Sequence, residues 1–340
     1  MFRFDSQVKK EALNYATVMN CLKVSEKKLE PQFESFGSAN NYSVLMEEES
    51  LFDKYASFFN INIAELKKEY ERAKKAFEEL RESDEIIKRG SYDYPDLLAQ
   101  TKEAPRFLYL RGNKSLLSEK RTVALVGSRR ASMDSCEKTA RLAKALGRNG
   151  ITIISGLAMG IDASAHASAL QNGLNTIAVI GTNLNQYYPA DNKNLQLEIE
   201  KRGLVISQFS PATKTQRYFF PLRNGTMSGL SLATVIMEAG ETSGALKQAD
   251  YALEQKRLVL IPESAVQSTK ITWPSKYLLR GAYEFKTVKD VLGLLAEGNI
   301  FIDQENRHTT YRDRKSSFLT LDIGVAEPET EWNGIKSEED

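Results

Sequence analysis

Between residues 123 and 262, six short apolar runs alternate with stretches of helical character, and that alternation leaves few folds open. The runs occupy residues 123–127, 151–155, 176–181, 204–207, 233–238 and 258–262. Each is largely apolar and of strand length, and most are bounded by Gly, Ser or Pro. Strands apolar on both faces belong in a parallel sheet covered by helices. Helical candidates fall between them at 134–148, 161–171, 192–201 and 243–255. The expected architecture is therefore α/β, a doubly wound, mostly parallel sheet. Such sheets bind ligands at the carboxyl ends of their strands, where the glycine-bearing loops of this chain lie.

Residues 1–90 have a different texture. In 64–89 the apolar positions Leu66, Tyr70, Ala73 and Phe77 recur at three- and four-residue spacing among Glu and Lys, which predicts an amphipathic helix. The segment carries no chemical motif and reads as a helical accessory domain. The expected division is 1–90 helical, 91–290 the α/β domain, and 291–340 a polar, partly disordered tail whose last fifteen residues carry −5. The chain as a whole has 46 basic and 45 acidic residues, so its net charge of +1 gives no sign of nucleic acid. Locally it does: residues 111–148 hold ten Lys/Arg against three Asp/Glu, and 201–223 hold five basic residues and no acidic one. The two cysteines, Cys21 and Cys136, lie far apart, which excludes a disulfide framework and fits a reducing cytosol. No window approaches the ~18 apolar residues of a membrane span, and residues 1–10 are no secretory signal, so a cytoplasmic protein without membrane contact is expected.

Four segments carry candidate chemistry. Gly127-Ser128-Arg129-Arg130 ends the first run; a glycine that admits close approach, a hydroxyl and two forked cations make an anion site, or else a tight turn with solvated arginines. Ser155-Gly156-Leu157-Ala158 leads through Gly160 to Asp162 and His166, which share a helical face; a structural Asp–His hydrogen bond outweighs catalysis, and no third metal ligand is evident. The segment with Arg217, Phe219, Phe220, Arg223 and Asn224 is read as a loop in which aromatics beside cations suit a single strand, whose bases stack while its phosphates pair; the plainer reading puts one phenylalanine in the core. Glu238-Ala239-Gly240-Glu241-Thr242-Ser243-Gly244, followed by Lys247, opens another helix whose amides either cap it or receive a phosphate. The fold would gather all four on one rim.

Taken in order, these segments together with 176–181, Tyr188-Pro189 and the Phe220-Pro221-Leu222-Arg223-Asn224 run resemble the DNA-processing protein A (DprA/Smf) family. Tyr94-Pro95-Asp96-Leu97-Leu98 resembles the family's lead-in and Gly281-Ala282 its exit, so the likeness covers about residues 92–283. The resemblance implies an extended Rossmann-like domain that dimerises and binds single-stranded DNA without cutting it or using a cofactor, delivering the strand to a RecA-type recombinase. It implies a phosphate site built on Gly127, Ser128, Arg129, Arg223 and Asn224. Departures from the family pattern are Gly225 in place of a second arginine, Gln208 in place of a glutamate, Lys247-Gln248 in place of an apolar residue and Thr, and Glu263 in place of a glycine. These suggest a specialised relative, with an antitoxin of a phage-defence module, paired with a toxin protein, as one alternative. A nucleotide sensor or N-glycosidase of the wider fold is another, for which Glu238 would supply the acid.

Overall fold

The computed structural model describes residues 2–40 and 44–304, with side chains to residue 297. Of the expected polar tail, residues 291–304 are described and continue a helix, and the rest, the acidic last fifteen residues included, lies outside the described residues. Four helices come first: α1 (Gln7–Leu22), α2 (Glu26–Ala39), α3 (Glu49–Phe59) and α4 (Ile63–Glu78). The spacing read from the sequence sets the buried stripe of α4, since Leu66, Tyr70, Ala73 and Phe77 are its buried residues. Asn62 starts it by accepting from the amides of Ala64 and Glu65, which otherwise lack a helical partner.

The rest alternates strand and helix. β1 (Glu85–Lys88), α5 (Asp96–Ala99) and β2 (Phe107–Gly112) lead into β3 (Thr122–Gly127) and α6 (Met133–Arg148). Then follow β4 (Thr152–Ser155), α7 (Ile161–Gln171), β5 (Thr176–Ile180), α8 (Lys193–Arg202) and β6 (Leu204–Ser207). After α9 (Phe219–Gly229) come β7 (Ala233–Glu238), α10 (Gly244–Glu254) and β8 (Leu258–Pro262). The described chain closes with α11 (Glu263–Val266), α12 (Trp273–Leu279), β9 (Tyr283–Phe285) and α13 (Val288–Gln304), which crosses the boundary expected at 290. All six strands read from the sequence are present, and β1, β2 and β9 join them.

The nine strands make one sheet in the order β1-β2-β6-β5-β4-β3-β7-β8-β9. β2 pairs antiparallel with both β1 and β6, and every other pairing is parallel. This is an extended Rossmann-like sheet with a helical N-terminal region. From β3 the chain winds outward through β4, β5 and β6, then returns to place β7 on the other side of β3. The crevice between the carboxyl ends of β3 and β7 is thus a topological switch point, where sheets of this kind open to ligands.

The N-terminal helices share a core with one end of the sheet. Phe33, Tyr55, Leu66 and Phe77 belong to the same buried cluster as Tyr109, Leu184, Val205 and Ala212. A buried cation clamps the joint: Arg106 donates to Glu11 at 2.6 Å and also to Glu34, with Tyr15, Phe33 and Phe107 rings 5.3–5.6 Å from its guanidinium carbon. Such a pair is costly to break because the surviving charge stays out of water.

Candidate functional site

The switch-point crevice is a cavity of about 790 Å³, and all four sequence segments line it. Gly127 ends β3, Ser128 and Arg129 open the loop to α6, Ala158 lies in the turn before α7 and Asp162 in that helix's first turn. Phe220, Pro221, Arg223, Asn224 and Met227 belong to α9, and Gly240, Thr242, Ser243, Gly244, Lys247 and Gln248 to the approach and first turns of α10. Arg217 and Tyr188 complete the wall. A smaller recess of about 80 Å³ adjoins it, reached past Gly156, Met159 and Gly181. Of the candidate residues, Arg130 and Ser155 line neither. Arg130 is exposed beyond the rim, and Ser155 is buried with its hydroxyl donating to the Leu125 carbonyl at 2.6 Å.

The segment read as an arginine-bearing loop is the helix α9. Pro221 sits in its first turn, where the absent N–H breaks no helical bond. This changes the part Arg223 plays. Only 5% exposed, it donates to the Val179 carbonyl and to the Gly156 carbonyl at 2.6 Å, with Asn224 Oδ1 3.1 Å from its Nε. Burial pulls its pKa down to about 10 while Asp162 pulls the other way, so it remains a cation at neutral pH. Gly156 is required by this arrangement, because a Cβ there would lie 2.5 Å from both terminal guanidinium nitrogens. Arg129 and Arg217, by contrast, are exposed side chains on the wall. Among the described residues none of Arg129, Arg217 and Arg223 makes a salt bridge, whereas Arg106, Arg111 and Arg81 elsewhere all do. Lys247 lies 3.3 Å from Asp250. Asp162, the one acid lining the cavity among the described residues, is buried and accepts from the amides of Gly156 and Ala158; burial raises its pKa and Arg223 opposes the rise.

The Asp162–His166 hydrogen bond expected from their spacing does not form. Asp162 turns back to the amides before α7, while His166 is fully buried with Nδ1 2.7 Å from Thr176 Oγ1. Both side chains are buried, and each has different partners. The two phenylalanines separate as well. Phe219 is buried and stacks on Phe209 at 4.0 Å, whereas Phe220 faces the cavity with the Arg129 guanidinium 5.8 Å from its ring centre and Tyr188 at 5.2 Å. Tyr188, half exposed, was not among the candidates; only its place before Pro189 marked it in the sequence. Beside α9, Ser243 accepts from the Ala245 amide and starts α10, and since Ser243, Gly244 and Ala245 all line the cavity, that helix directs its amino-terminal end at it, where the backbone favours an anion.

Two family departures have structural explanations. Position 225 is off the cavity: a Cβ there would meet Glu103 Cγ at 2.7 Å, so an arginine would not simply line the site. Gln208 accepts from Thr226 Oγ1 at 2.5 Å and ties β6 to α9. Glu238, the acid a hydrolase would need, accepts from the Ser132 amide and hydroxyl at 3.1 and 2.7 Å and is absent from the lining.

The family described as DNA recombination-mediator protein A matches residues 85–296 of this chain. The DNA processing protein DprA of Bacillus subtilis is 33% identical over 211 residues, 62% of this chain and 71% of that protein. The DprA of Streptococcus pneumoniae is 41% identical over 172 residues, 50% of this chain and 60% of that protein. A solved structure of the S. pneumoniae protein superposes with a TM-score of 0.67 at 27% identity, covering 86% of this chain and 98% of that one. The DNA processing protein A of Helicobacter pylori, described for its single-stranded DNA binding mode, superposes at 0.57 with 25% identity, covering 63% and 96%.

Proposed function

The chain belongs to the DNA recombination-mediator protein A family, and on that footing we propose that its switch-point cavity binds single-stranded DNA without cutting it. The observation that carries the reading is a cavity with three arginines that lack a salt bridge and, beside them, the rings of Phe220 and Tyr188. Arginine grips a phosphate through a planar fork, and a base stacks on any aromatic face regardless of sequence. The phosphate-binding set is Gly127, Ser128, Arg129, Arg217, Arg223, Asn224, Ser243, Gly244 and Lys247, with Gly156 making room for Arg223 and Arg130 extending the path outside the rim. The placement of Glu238 on Ser132 supports a non-catalytic role over nucleotide hydrolysis. A homodimer in the cytoplasm that hands the strand to a RecA-type recombinase is the fuller reading. A cognate toxin protein is the partner an antitoxin would need, and no feature of the site favours it.

Fluorescence anisotropy on a labelled oligothymidine tests the proposal. We expect binding at low salt, little preference among sequences, and a log–log salt slope of roughly −2 to −3 for three or four neutralised phosphates at about −0.7 each. No binding at low salt would overturn it. Base release from nucleoside monophosphates, abolished by Glu238→Gln, would establish the hydrolase instead.

A further inference from the structure

Two loops of the cavity wall are tied to the N-terminal helices by polar contacts, in addition to the apolar packing of their Leu184 and Ala212 in the shared core. The first, 208–218, leaves β6 and delivers Arg217 and then Phe220. Its Ala212 carbonyl accepts from Arg72 Nη2 of α4 at 2.7 Å and from Asn20 Nδ2 of α1 at 3.2 Å. Glu69 orients both donors, accepting from Asn20 at 2.9 Å and from Arg72 Nε at 2.8 Å. The second loop, 181–189, delivers Tyr188. Its Asn185 donates to the Ala76 carbonyl of α4 at 2.9 Å. The loops are also stitched to each other: Asn183 Nδ2 donates to the Thr213 carbonyl at 3.2 Å, and Thr215 Oγ1 to Gln186 Oε1 at 2.6 Å.

Loops drift unless their backbone polar groups are claimed, and here one helix pair claims both sides of the aromatic wall. We propose that Asn20 and Arg72 are positioning residues for DNA binding, and that the N-terminal helices set the geometry of the wall that carries Arg217, Phe220 and Tyr188. The N-terminal helices thereby act on the site without touching DNA. The inference rests on the single-strand reading of the cavity only where DNA affinity is the readout. Arg72 points out of the buried stripe of α4, so its removal leaves Leu66, Tyr70, Ala73 and Phe77 packed. A helix state that reached Ala212 less well would loosen the wall, which makes this contact a route by which anything bound to the helices alters DNA binding.

The test uses the full chain with Asn20→Ala and Arg72→Ala combined, and Lys68→Ala on the exposed side of α4 as control. In the free protein, amide hydrogen exchange in 208–218 should quicken in the double variant and stay unchanged in the control. Affinity for oligothymidine should weaken roughly three- to tenfold, the worth of one or two hydrogen bonds. The loss should shrink in an Arg217→Ala background, where part of what the wall carries is already gone, and persist in full in a Lys247→Ala background, because Lys247 is on α10 and not on the tied loops. Unchanged exchange in 208–218 overturns the proposal, and so does a loss that is fully additive with Arg217→Ala. If the wild-type protein binds no single strand, the DNA reading falls and exchange alone decides the positioning claim.

Discussion

Arg129 and Arg223 looked equivalent in the sequence, two arginines each beside small or amide residues in glycine-bearing segments. Their surroundings separate them. Arg129 is exposed at the rim, with its guanidinium 5.8 Å from the centre of the Phe220 ring. Arg129→Ala should therefore weaken DNA binding about ten- to a hundredfold, the cost of one charge-assisted contact, and leave the melting temperature unchanged. Arg223→Ala should do both kinds of damage. It strips a donor from the Gly156 and Val179 carbonyls inside the protein, so melting temperature falls along with affinity. Arg223→Lys should recover part of the affinity, since an ammonium restores charge but not the fork. Anisotropy and thermal denaturation on the three variants check this. Equal melting temperatures for both alanine variants would mean that Arg223 does not brace the interior.

At the scale of elements, α9 is the case where local propensity and tertiary structure part. Its sequence, Phe-Phe-Pro-Leu-Arg-Asn-Gly-Thr-Met-Ser-Gly, carries a proline and two glycines, and each interior glycine costs a helix about 1 kcal/mol relative to alanine. Read alone it is a loop. In the fold both glycines sit where a Cβ would collide, Gly225 with Glu103 Cγ at 2.7 Å and Gly229 with Leu98 at 2.6 Å. The helix exists because close packing against the segment before β2 outweighs its poor propensity. Gly225→Arg, which writes in the arginine common to relatives, should accordingly lower the melting temperature and leave DNA affinity no higher. It must displace Glu103, which Gln255 holds at 2.8 Å. Tighter DNA binding in that variant would place position 225 in the site after all. The strands behaved oppositely: their apolar runs were legible because a strand buried on both faces is apolar over most of its length, with only small hydroxyl residues such as Thr152 and Ser155 among them.

For the molecule as a whole, global stability carries one titration that the sequence did not reveal. His166 is fully buried, and burial holds its pKa down, at about 3. The unfolded chain takes up that proton near pH 6.5, so between about pH 6.5 and 3 the unfolded state binds more protons. The stability from keeping His166 neutral is present above that window and is lost as pH falls through it. Thermal denaturation should show His166→Gln with a shallower loss from pH 6.5 downward than wild type; parallel curves would remove His166 from the acid response. Fold class, the six central strands and the gathering of four segments on one rim followed from sequence, since periodicity and glycine placement are local signals that a doubly wound sheet converts into position. The family resemblance followed too, from motif order. Tertiary structure alone decided that Arg223 is buried, that Phe219 and Phe220 part company, that Asp162 and His166 take different partners, and that α1 and α4 hold the loops of the cavity wall. Each of these depends on which atoms the fold brings together, from Asp162 and Gly156 six residues apart to Asn20 and Ala212 192 residues apart. A linear pattern records the character of a side chain, but its burial and partners are set by the neighbours the fold brings to it.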